Sequence, residues 1–183
     1  MKKFVLTLVA LLSLCSNLAA EVWIDPLHQV KNRHPGYCCW CCLEMLGQRQ
    51  NVPALKGLTD ARAKDCDYVE TQIIPTDFGL QTIRRVIPKN FGSEGAVRQK
   101  LDSLGVKYKI THWDREHLKQ SVKGNGCVVF VRANEVMGGD HAVILTNLSD
   151  DKFEYFDPNN CGYWRGDLSW FYYYWSGVAV SIE

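Results

Sequence analysis

Hydrophobic positions along the chain change period near residue 105, from helical spacing before it to alternation and short apolar blocks after it. Residues 37–48 run without a breaker through Trp40, Leu43, Met45 and Leu46, entered by the turn dipeptide Pro35-Gly36 and with Gly47 as the stop signal. A second short helix is expected over 52–63, starting at Val52-Pro53, and 65–75 reads as irregular. Phe78, Leu80, Ile83 and Ile87 recur at helical spacing up to Pro88 and predict a third helix. Ser93 and Glu94 cap a fourth, which carries Ala96, Val97, Leu101 and Leu104 and ends at Gly105. Residues 106–110 then alternate as a half-buried strand. Asp114 caps a short helix to about Val122, and the apolar runs 127–131 and 141–146 suit central strands. Residues 153–156 follow the polar turn Ser149-Asp150-Asp151, and 178–182 close the chain as a last strand. Helices first and strands second is the α+β order.

Length changes this picture little: 183 residues make one ordinary domain. The N-terminus changes it more. Lys2 and Lys3 precede an apolar run over 4–14, and Leu18-Ala19-Ala20 supplies small residues, the pattern of a secretory signal peptide over 1–20. The run is too short to span a bilayer, and Leu14 before Cys15 is too large for a lipoprotein signal. The mature domain is therefore expected over 21–183, secreted or periplasmic, with no stable membrane insertion after cleavage. Lys2 and Lys3 leave with the signal, so the formal charge of +1 becomes −1, which does not suggest a nucleic-acid partner. Cys15 leaves too, and the remaining seven of eight cysteines cannot all pair within one molecule.

Four of those cysteines, Cys38, Cys39, Cys41 and Cys42, crowd the first turn of the 37–48 helix. Unpaired N–H groups and the positive end of the helix dipole favour a thiolate there. Of the five histidines, His141 is delivered by Gly138-Gly139-Asp140 to the first residue of a core-like strand. With a hairpin tip at 148–150, residue 141 lies opposite residue 157, and such neighbours stand about 5 Å apart at Cβ. Asp157 can then fix the imidazole tautomer, whereas a one-residue slip would turn one of the two away. His28 and His34 lie in an extended lead-in over 21–35, His117 sits on a polar helix facing solvent, and His112 is the remaining competitor. The tandem Cys-x-x-Cys spacing also suits redox chemistry, although the polar stretch 28–35 is not the buried strand that a thioredoxin-like site follows. A zinc site would need four converging ligands, and adjacent helix positions diverge. Neither a metal nor a cofactor is expected. Cys39 and Cys42 also suit the apolar stripe of the helix, and the pairing of Cys66, Cys127 and Cys161 stays open. The aromatic run 170–175 is expected to pack across a sheet and cover its edge, with Arg84, Arg85 and Lys89 on a solvated helix face.

Three of these motifs together resemble the papain-like cysteine peptidases, most closely the double-glycine leader peptidase branch. Cys38, Cys42, Leu43 and Met45 match its nucleophile helix. His141, Val143 and Ile144 match its histidine strand, and Asp157-Pro158 the pair about sixteen positions on. The resemblance implies a papain-like α+β fold, with an N-terminal nucleophile helix packed on a C-terminal antiparallel sheet. It implies Cys38 as nucleophile, with Cys39, which precedes Trp40 as in papain itself, as the alternative. His141 and Asp157 would complete the triad. The oxyanion glutamine position, six residues before the nucleophile, holds Asn32, one methylene shorter, with Gln29 as the alternative donor. The implied function is a secreted cysteine peptidase, or a related amide hydrolase or acyl transferase, acting on a peptide or protein. Two alternatives stand beside it: a secreted thiol–disulfide oxidoreductase using the tandem Cys-x-x-Cys, and an inactive papain-like binding module.

Overall fold

Every residue from Cys38 to Gly47 is buried in the first helix, α1 (Cys38–Arg49), of the computed structural model. The structure describes residues 22–76, 79–132 and 140–183; the expected signal peptide, Phe78 and Gly138-Gly139 lie outside the described residues. A helix apolar on all sides belongs inside a fold rather than on its surface. Trp40, Leu43 and Met45 share a core with Val97 and Leu101 of α3 (Glu94–Ser103), and with Val128, Ile144, Phe156 and Val180 of the main sheet. The helix does not stop at Gly47. A Cβ there would lie 2.3 Å from that of Leu55, so the glycine admits the 3₁₀ turn Pro53–Leu55 against the helix.

The expected helix over 52–63 is divided. Gly57, at φ +73°, separates that 3₁₀ turn from α2 (Leu58–Ala63), because the left-handed conformation it takes cannot continue a helix. Buried Glu44 of α1 joins the pieces: Oε1 accepts from Gly57 N–H (2.8 Å) and Oε2 from Thr59 N–H (2.9 Å), so the carboxylate caps α2.

The irregular stretch and the third helix are replaced by a two-stranded antiparallel hairpin, β1 (Tyr68–Thr76) and β2 (Gly79–Ile87), apart from the main sheet. Its register pairs Val69 with Val86 and Ile73 with Thr82. β-Branched residues facing one another across strands prevail here over the helical spacing of Leu80, Ile83 and Ile87. Arg84 therefore sits on a strand, not on a helix face.

The main sheet has six antiparallel strands in the order β3-β8-β4-β5-β6-β7. These are β3 (Tyr108–His112), β4 (Cys127–Val131), β5 (His141–Leu148), β6 (Lys152–Asp157), β7 (Gly162–Asp167) and β8 (Trp175–Ile182). β7 was not expected. Val128, Ala142 and Ile144 face α1, while Val129, Val143 and Leu145 face Leu118 and Val122 of α4 (Arg115–Gly124) and Phe171 of α5 (Leu168–Tyr174). Covering on both faces is why the central strands read as continuous apolar runs. Two of the six aromatics follow expectation fully: Phe171 and Trp175 are buried, but Trp170 and Tyr173 stay exposed. The result is an α+β papain-like fold with its first helix packed against an antiparallel sheet.

Candidate active site

The N-terminus of α1 meets the start of β5 and the end of β6. Gly36, at φ +86°, turns the chain into α1 and leaves no room for a side chain, since a Cβ would lie 2.6 Å from Asn90 Nδ2. Asn90 Nδ2 donates to Pro35 O (2.9 Å) and holds the turn. Cys38 is thereby the first residue of the helix, and Ala142 N–H donates to its Sγ (3.4 Å). His141, the first residue of β5, bonds Asp157 Oδ1 through Nε2 (2.9 Å) and lies close enough to Cys38 for the sulfur to raise its pKa. With Nε2 committed to the carboxylate, Nδ1 is the ring nitrogen left for the sulfur.

The route by which His141 reaches Asp157 differs from the expected one. Leu148 pairs with Phe153 and Asn147 with Glu154, but Leu145 pairs with Tyr155 and Ile144 with Phe156, so the register shifts by one residue at Thr146. Continued from the tip without that shift, the pairing would put His141 and Asp157 on opposite faces of the sheet. The extra residue brings both to one face, with Asp157 diagonal to His141 rather than opposite it. Thr146 is fully buried there, and its Oγ1 donates to Glu154 O (3.1 Å).

Both partners are nearly enclosed, His141 at 8% and Asp157 at 7% exposure. Burial alone disfavours the charged ring, but the hydrogen bonds and charges of Asp157 and Cys38 outweigh it and push the His141 pKa up to about 9. Asp157 Oδ1 also accepts from Asn159 N–H (2.8 Å), which fixes the carboxylate by a turn of its own. This contact, and the Ala142 N–H on the sulfur, are backbone features that residue types do not announce.

The other cysteines are placed differently. Cys39 is 1% exposed and packs against Gly92, where a Cβ would lie 2.7 Å from its sulfur; burial raises its pKa well above the ordinary value. Burial does the same to Cys42, whose Sγ–H donates to Ala142 O (3.5 Å). Burial also takes Cys41 to about 12 against a weaker lowering by the Thr59 hydroxyl, and Cys127 to about 12. All seven described cysteines are free, including Cys66 and Cys161.

Upstream, the lead-in is pinned to the sheet by Val22 N–H on Thr146 O (3.2 Å) and Ile24 N–H on the Tyr163 hydroxyl (2.7 Å). Asn32 meets the turn that follows Asp157: its N–H donates to Pro158 O (2.8 Å) and its Nδ2 to Asn159 Oδ1 (2.8 Å). Its own Oδ1 is buried without a partner. Gln29 Nε2 donates to Ile24 O (3.5 Å), and the residue lines a separate cleft with Glu44, Thr59 and Asp60 that does not include Cys38. His112 is bound to Glu94 (2.6 Å), away from any thiol. His117 does not simply face solvent: its Nε2 meets the Ser121 and Ser181 hydroxyls at 3.1 and 3.2 Å.

The aromatic helix also borders the site. Trp170 and Tyr174 of α5 wall a small apolar cavity that His141 and Asp157 also line. Cys38 is not among the residues that line it.

An antiparallel sheet carrying a histidine and an aspartate, with a cysteine-headed helix against it, is the papain-like arrangement. The chain is similar to the solved structure of a double-glycine motif protease from an AMS/PCAT transporter in complex with the leader peptide. Identity is 15% over 88% of this chain and 92% of that one, with a TM-score of 0.56, a likeness of fold. No protein-family model and no curated protein matches the sequence.

Proposed function

We propose that the protein is a cysteine peptidase acting through Cys38, His141 and Asp157. The observation that carries this reading is the placement of His141 between Cys38 and Asp157 at the junction of helix and sheet, with Asp157 bonded to the ring and Cys38 acting on its pKa. A peptide substrate is supported by the peptide bound in the structurally similar protease. The Cys38 thiolate attacks the carbonyl carbon, forming a C–S bond. As the C–N bond breaks, His141 Nδ1 passes its proton to the departing amine. The neutral ring then takes a proton from water, whose oxygen attacks the thioester and releases the sulfur. Asp157 holds the ring in the tautomer that points Nδ1 at the sulfur. The Cys38 N–H and the second Asn32 Nδ2 hydrogen, free beyond the bond to Asn159, are the donors available for the oxyanion.

Cys38 is preferred to Cys39 because it lies beside the imidazole, whereas burial keeps the Cys39 thiol protonated. The free state of Cys38 and Cys41 and the histidine beside Cys38 favour acyl chemistry over disulfide exchange. We further propose export with removal of residues 1–20, which N-terminal sequencing of the exported protein tests by finding Glu21 first. The catalytic reading is tested by alkylation with iodoacetamide and an epoxide peptide, alongside hydrolysis of casein. Fast labelling of wild type should vanish in Cys38→Ala, persist in Cys39→Ala and slow sharply in His141→Ala. Equal labelling in all four proteins would sink it.

A further inference from the structure

We infer that the cavity beside His141 is a subsite for a branched aliphatic side chain on the amine side of the scissile bond. The inference rests on the peptidase reading and gives that site a specificity. Direction comes from proton delivery. A general acid must lie within about 2.6–3.2 Å of the atom it protonates, so the leaving nitrogen stands against the His141 ring and the acyl half remains over Cys38. The residue bearing that nitrogen therefore starts at the ring. The cavity is lined by His141, Asp157, Val143, Phe153, Trp170 and Tyr174, and Cys38 takes no part in it. The first side chain after the cut has this cavity as its neighbour.

Size and chemistry select the class. The cavity measures about 40 Å³, well below the roughly 150 Å³ that accommodates a benzene ring, so the methyl groups of Val, Leu or Ile fit and an aromatic ring does not. Its aromatic walls pack on one another. Trp170 stacks on Phe153 at 5.6 Å and meets Tyr174 at 4.6 Å, which fixes the opening that α5 leaves over β6. Arg132 also borders the cavity and has no ion-pair partner among the described residues. With the imidazolium it disfavours Lys or Arg in that position. Trp170 is a specificity residue in this scheme, and its 44% exposure allows truncation without opening the core.

The test is digestion of a proteome-derived peptide library by the mature chain, with mass spectrometry reading the residues on both sides of each cut. Val, Leu and Ile should be enriched about tenfold over Gly, Asp and Lys at the first position after the cut. Trp170→Ala should widen that preference to Phe and Tyr while leaving the residues before the cut unchanged. Cleavage with no preference after the cut, or an unchanged preference in Trp170→Ala, overturns the subsite and leaves the peptidase reading standing. No cleavage by a chain whose Cys38 still alkylates rapidly overturns both.

Discussion

Replacing Asp157 by Asn tests the electrostatics of the site without relying on catalysis. The carboxamide oxygen can still accept from Asn159 N–H and from the ring, so the turn survives and only the charge is lost. Asp157 and Cys38 together hold His141 at about 9 against an ordinary 6.5 while burial pulls the other way. One pKa unit is worth about 1.4 kcal/mol, so the net effect is on the order of 3 kcal/mol. Without the aspartate charge, burial is opposed by less, and the ring should titrate lower than in wild type. The assay is NMR of the histidine ring protons against pH, with His141 assigned by its absence in His141→Gln. Linkage gives a second readout. A folded-state pKa raised above the unfolded value contributes stability that is complete below about pH 6.5 and is lost as pH rises through about 9. Wild type should therefore exceed Asp157→Asn in urea stability at pH 6, with the gap closing above pH 9. A wild-type ring midpoint near 6.5, or one that Asp157→Asn does not move, would refute the reasoning.

Three other perturbations have defined outcomes. Deleting Thr146 removes the extra residue but leaves Leu145 opposite Tyr155 and Asn147 opposite Glu154, so His141 and Asp157 stay on one face and the raised histidine midpoint should survive in an NMR titration. Glu44→Ala strands two partly buried N–H groups at the head of α2. It should cost about 2 kcal/mol, read as a fall in Tm of about 4–8 °C. Asn32→Ala should lower kcat about 10²–10³-fold with little change in KM if its carboxamide serves the oxyanion, and Asn32→Gln should retain more activity than Ala. Equal losses in the two variants would reduce Asn32 to a strut for the Pro158-Asn159 turn.

The elements legible in the sequence are those whose burial pattern is imposed by one dominant neighbour. α1 has core on every side, and β4 and β5 are covered on both faces, so their apolar runs mark them directly. α3 and α4 carry side-chain caps, Ser93 on Ala96 N–H and Asp114 on His117 N–H, that can be read residue by residue. The β1–β2 hairpin offers no such handle. Val69, Ile73, Leu80 and Val86 are exposed, so no core fixes a period, and the accidental spacing of Leu80, Ile83 and Ile87 suggests a helix. β7 is an edge strand with Gly162 and Gly166 in six residues; Phe153 occupies the space a side chain at 166 would need. Its strand character lies in the partner, not in its own residues.

The site divides along the same line. The residues that meet there were legible because a cysteine at a helix start, a histidine at a strand start and an Asp-Pro turn are features of residue type and order. Its geometry was not, because the inferred pairing of residues 141 and 157 assumed an unbroken register. The hairpin tip in fact lies further along, and carried through unbroken it would have separated His141 from Asp157. One buried threonine restores the match by bulging. β-Branched Thr146 reads as one more residue of an apolar strand, and its effect depends on where the tip falls. A bulge that sets side-chain parity beside reacting groups is a positioning device. Here the same shift that turns His141 toward Asp157 also turns Val143 toward Phe153 and α5, so the His141–Asp157 contact and the neighbouring cavity share one cause.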